Sequence, residues 1–174
     1  LAVINPFFLF LSVGGLAVQW FGDSLDGRIA YYRNTPRKWY GWSLDINADW
    51  VSISLICLGV YIYLPAFKFL AILMVLAYGG ALIISLLNYK VTDKYVIDKG
   101  MFGPTEARII LAVVFIIEVF IPGALATFTL LASIILMVTN SRDSIDVLHN
   151  GDQRDVYEKS LKKNVSIPAA VPTT

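Results

Sequence analysis

Long apolar runs separated by short polar stretches organise this chain. Residues 1–22, 50–67, 69–89 and 119–141 carry no charged side chain, and residues 109–122 are interrupted only by Glu118. Each run reaches or approaches the ~20 residues that cross a bilayer as a helix. No segment alternates apolar and polar positions with a period of two, which excludes a strand-built barrel. The pattern therefore predicts an all-α integral membrane bundle of five visible spanning helices, the first over residues 1–30. Pro122-Gly123 divides one long apolar stretch into two helices joined by a tight turn. Pro104 opens the fourth helix as its first residue, where a missing N–H costs nothing.

Composition agrees with this pattern. Apolar residues make up 57% of the 174 positions and charged ones 16%, against roughly 45–50% and 25% for a soluble domain. Mean hydropathy is +0.66. The single cysteine, Cys57, lies inside a membrane run and reads as a small apolar packing residue. A net charge of +1 names no partner, and no nucleic-acid partner is expected.

The distribution of charge is more informative. Arg33, Arg37 and Lys38 follow the first helix, Lys90, Lys94, Lys99 and Arg108 lie between the third and fourth, and Arg142, Arg154, Lys159, Lys162 and Lys163 follow the fifth. All fall on one side, while the other side carries Lys68 alone. By the positive-inside rule the basic side is cytoplasmic, and a bacterial inner membrane is the expected setting. Five helices with a cytoplasmic C-terminus place Leu1, which is not a Met, on the outer side. That predicts a further helix upstream, six in all. Residues 1–141 then form the transmembrane catalytic domain. Residues 142–174 form a cytoplasmic tail, a short amphipathic or loose helix with a disordered end.

Every acid in the first 68 residues belongs to one group: Asp23, Asp26, Asp45 and Asp49. Spacings of three and four put each pair on one helix face. The helices carrying the two pairs return on the same side, so all four carboxylates can meet in one gap. An ionised acid at the helix centre costs about 2.5–3.5 kcal/mol even on insertion scales, and less near the interface. Mutual repulsion adds to that, so the cluster calls for a cation. Carboxylates without His or thiolate neighbours suit a hard divalent ion, Mg2+ or Mn2+. Helix-cap acids are the alternative, which one aspartate would satisfy and four do not.

Residues 23–49 read D-x2-D-G-x2-A-x10-G-x3-D-x3-D. This run resembles the signature of the class I CDP-alcohol phosphotransferases, also called CDP-alcohol phosphatidyltransferases. The resemblance implies a six-helix membrane enzyme, commonly a homodimer, that moves a substituted phosphate from a CDP-linked donor to an alcohol acceptor and releases CMP. It implies that Asp23, Asp26 and Asp45 hold the metal, that Asp49 completes the site and acts as general base, and that Asp23, Gly27, Ala30 and Gly41 meet the nucleotide. CDP-diacylglycerol is the expected donor. The stretch Gly103-Pro104-Thr105-Glu106-Ala107-Arg108 is similar to one in some bacterial members. The family's arginine after the alanine is Tyr31 here, with Arg28 and Arg33 one turn away as substitutes.

Further residues have two readings. Arg28, Arg33 and Arg37 suit substrate phosphate or simple charge topology. Glu106 and Arg108 suit an acceptor pocket or the start of a helix. Trp39, Tyr40 and Trp42 read as an interfacial aromatic belt. Glu118, about 18 Å along the helix from Glu106 at ~1.5 Å per residue, reads as a structural or subunit-interface acid. Gly79-Gly80-Ala81 permits close helix contact. A soluble CDP-alcohol donor with a lipid acceptor, a divalent-cation transporter and an inactive family member remain open alternatives.

Overall fold

The computed structural model describes residues 1–34, 37–93 and 104–165. Five α-helices follow a short 3-10 turn at Pro6–Phe8: α1 Leu9–Tyr32, α2 Lys38–Tyr63, α3 Lys68–Thr92, α4 Pro104–Phe120 and α5 Ala124–Val165. No strand occurs among the described residues. Among the described residues four helices are long and apolar enough to cross a membrane. The 17 residues of α4 span about 25 Å, a little less than the hydrocarbon core.

Local chemistry sets the ends. The first helix starts at Leu9 rather than Leu1, because Pro6 disfavours helical backbone at the residue before it. Asn5 is accordingly extended, and its side-chain oxygen accepts the Phe7 N–H at 3.0 Å. Between α4 and α5, Gly123 adopts φ +100°, a conformation L-residues avoid. Asp93 ends α3 in the left-handed region, which Asp tolerates better than most residues.

The helices pack in the order α2, α3, α5, α4, α1, so that the sequence neighbours α1 and α2 stand at opposite ends of an arc. The α3–α5 contact is the most extensive. It uses small and polar residues: Asn140 donates to the Ala77 carbonyl at 2.7 Å, and a Cβ on Gly80 would lie 3.1 Å from the Asn140 amide. Buried Thr129 and Ser133 return their hydroxyls to the carbonyls four residues back, each at 2.7 Å, so neither leaves a polar group unpaired in an apolar setting. On α2, the Trp50 ring fills the space at Gly79, where a Cβ would meet it at 2.8 Å. The small residues of α3 are thus consumed within the chain. The surface is apolar, with Leu11, Leu55, Leu76, Ile83 and Ile135 all more than half exposed, as a lipid-facing bundle requires.

The fifth helix departs from the expected tail. It continues without a break past Arg142 to Val165, and 42 residues span about 63 Å, twice a bilayer core. Arg154 anchors the extension to α3. It donates to the Lys90 and Val91 carbonyls at 2.9 and 2.8 Å and pairs with Asp93 at 3.0 Å. Those carbonyls close a helix C-terminus, where a cation is favoured.

Candidate active site

The arc leaves a seam between α1 and α2, and α4 spans it with side chains at both ends. At one end Arg108 places Nη1 2.7 Å from Asp23 Oδ2 on α1 and Nη2 3.4 Å from Asp49 Oδ1 on α2. The guanidinium side chain is largely buried, at 13% exposure, while the two carboxylates remain partly open. At the other end, 10 residues or about 15 Å along α4, Glu118 accepts from Tyr63 Oη of α2 at 3.3 Å. The same carboxyl accepts the N–H groups of Gly123 at 3.1 Å and Leu125 at 2.7 Å, capping the turn into α5. Glu118 is therefore a structural acid whose partners lie within this chain.

The two faces bordering the seam change character along their length. On α2, Asp49, Ser52, Ile56, Gly59 and Tyr63 recur at steps of three and four, one continuous stripe. On α1, Ser12, Leu16 and Asp23 form the matching stripe. The carboxylates occupy one end; toward the other lies an apolar cavity of about 590 Å3, lined by Leu9, Leu16, Ile56, Val60, Tyr63 and Phe115 among others, and none of Asp23, Asp49 and Arg108 lines it. Gly15 and Gly59 line it too, and a Cβ on either would meet nothing within 4 Å. Unlike Gly79, these glycines leave space instead of admitting a neighbouring helix. Gly41 likewise faces open space.

Asp23 and Asp49 are thus brought together. Asp45 lies one turn before Asp49 on α2 and is exposed. Asp26, Gly27 and Ala30 lie on α1, with side chains outside the described set. Among the described residues no three acids come together as a metal-binding group. The donor set nevertheless fits a cation, because two carboxylates from facing helices already share one, the Arg108 guanidinium. Arg28, Arg33 and Glu106 are exposed, and Arg37 stacks on Tyr40 at 5.8 Å. Two residues apart on a helix, Glu106 and Arg108 point about 200° apart; Arg108 reaches Asp23 and Asp49, and Glu106 is exposed. Tyr31 is 75% exposed. Near the same end Trp39, Trp42 and Tyr89 cluster, with Trp42 and Tyr89 centroids 5.7 Å apart. The sequence marked Arg108 by its depth in the membrane but not its partners, since contacts across 85 and 59 residues leave no local signal.

Fold and site together define an α-helical membrane protein with a charged seam above an apolar cavity. The family model for CDP-alcohol phosphatidyltransferases matches residues 1–141, and the chain belongs to that family. No curated protein and no solved structure matches it. Membership carries transfer of a phosphatidyl group from a CDP-alcohol to an alcohol, in phospholipid biosynthesis at a membrane, and the family is generally dependent on a divalent cation.

Proposed function

We propose that this protein transfers a phosphatidyl group from CDP-diacylglycerol to a small alcohol at the cytoplasmic edge of a bacterial inner membrane. The observation that carries the reading is the α1–α2 seam, whose carboxylates stand over an apolar cavity on the same helix faces. An amphiphilic donor has the same two halves: a charged diphosphate and two hydrocarbon chains. A cation site at the wet end takes the nucleotide headgroup and lets soluble CMP leave to water, while the tails stay in the bilayer or the cavity.

Asp23, Asp26, Asp45 and Asp49 would hold the divalent ion, Mg2+ or Mn2+. When bound, that ion neutralises diphosphate charge and improves the leaving group. Asp49 takes the proton of the acceptor hydroxyl. The acceptor oxygen forms the new P–O bond as the bridging P–O bond of the diphosphate breaks, and CMP departs. Gly41 leaves room for the nucleotide, in keeping with the family pattern that also includes Gly27 and Ala30. A homodimer is consistent with family habit.

The test is CMP release with Mg2+ or Mn2+ from CDP-diacylglycerol and from soluble CDP-alcohols, each against a panel of acceptors. Release from CDP-diacylglycerol alone is the expected result; release only from a soluble donor with a lipid acceptor overturns the donor assignment. Asp49→Asn should lower kcat by at least about a hundredfold, the usual scale for a general base, with the fold retained. Full activity in that variant removes Asp49 as the base.

A further inference from the structure

Two carboxylates that the proposed chemistry assigns to a divalent ion are held here by an internal cation. Arg108 spans both helices with a fork, Nη1 to Asp23 at 2.7 Å and Nη2 to Asp49 at 3.4 Å. Only 13% of its side chain is exposed, whereas the Asp23 and Asp49 side chains are 42% and 30% exposed. The carboxylates thus remain accessible from outside while the guanidinium closes the seam from behind. A guanidinium and a divalent ion bound to the same oxygens repel each other strongly at such distances. On those two oxygens, Asp23 Oδ2 and Asp49 Oδ1, the guanidinium and the ion compete.

We propose that Arg108 is the resident counter-ion of the Asp23–Asp49 pair, that it gives up these carboxylates when a divalent cation binds, and that its freed guanidinium then takes a phosphate oxygen of the CDP moiety. Two features of this chain make the role specific. Tyr31 stands where the family pattern has an arginine, and its side chain is exposed, while the guanidinium at the carboxylates is that of Arg108 on α4. A planar fork that grips two carboxylates is also suited to two phosphate oxygens. The resident ion pair has a structural use as well, since it keeps two ionised acids paired and α1 and α2 in register before any ligand arrives.

This inference rests on the aspartates being the cation site, and the experiment separates the two. Mn2+ binding to the detergent-solubilised full chain is measured by electron paramagnetic resonance without nucleotide, then CDP binding is measured at saturating Mn2+. Arg108→Gln removes the competing charge, so Mn2+ should bind about tenfold or more tightly, while CDP binds about tenfold or more weakly. Arg108→Lys keeps the charge without the fork and should show both changes in smaller measure, which serves if the glutamine variant does not fold. Mn2+ affinity unchanged or weakened in the variants overturns the exchange and leaves the aspartate site standing. Wild-type protein that binds no Mn2+, with Asp23→Asn identical to it, overturns the aspartate site and the exchange together.

Discussion

Glu118 illustrates how little a residue's type says about its work inside a membrane. An acid at that depth is a functional candidate by default, yet this one is 3% exposed and accepts from two backbone N–H groups and the Tyr63 hydroxyl. Its carboxyl supplies partners that the start of α5 lacks. Glu118→Ala should therefore destabilise the fold by about 2 kcal/mol or more, since it strands buried donors. Thermal unfolding in detergent would register this as a lower midpoint, and Glu118→Gln, which keeps an acceptor, should recover part of the loss. Arg108 is the opposite case. Its charge is conspicuous in the sequence, but only the structure shows that it pairs with Asp23 and Asp49 instead of joining the basic surface.

At the scale of elements, glycines that look alike in sequence divide by what surrounds them. Gly79 receives the Trp50 ring and Gly80 the Asn140 amide, so α3 packs closely on α2 and α5. Gly79→Ala forces a Cβ to within 2.8 Å of a rigid aromatic ring, and overpacking of this kind costs about 1–3 kcal/mol. Gly59→Ala meets nothing within 4 Å and should hold or slightly raise the unfolding midpoint, since alanine is favoured over glycine in a helix interior by about 0.5–1 kcal/mol. Comparing the two variants in one melting series checks the distinction. Arg154 ties the α5 extension to the end of α3. Arg154→Ala removes its ties to the Lys90 and Val91 carbonyls and to Asp93, and amide exchange should speed up over residues 150–165 while the spanning part of α5 is unaffected.

For the whole molecule, the packing order α2, α3, α5, α4, α1 creates the seam in which chemistry and lipid can meet. Filling it tests the arrangement. Gly59→Phe projects a ring into the apolar cavity, so the KM for a lipid donor should rise about tenfold or more, while CDP binding at the carboxylate end stays unchanged. Such a split between lipid and nucleotide marks loss of tail binding. Equal loss of both would mean that cavity and charged end do not serve one substrate.

Hydropathy alone determined the helical membrane class and the number of helices, because crossing a bilayer demands long uncharged runs whatever the tertiary fold. Spacing alone paired Asp23 with Asp26 and Asp45 with Asp49, because a helix has a fixed period. The turn at Pro122-Gly123 was legible for the same local reason. The first helix was drawn eight residues too early because Pro6 acts on the backbone before it, an effect the apolar run conceals. The continuity of α5 past Arg142 was hidden, since a drop in hydropathy marks where a helix leaves lipid and not where it ends. The seam, the cavity and the Arg108 bridge were decided only in three dimensions. They depend on which helix lies beside which, and contacts between residues far apart in the chain, such as Trp50 at Gly79 and Asn140 at Gly80 within α2, α3 and α5, carry no local signal.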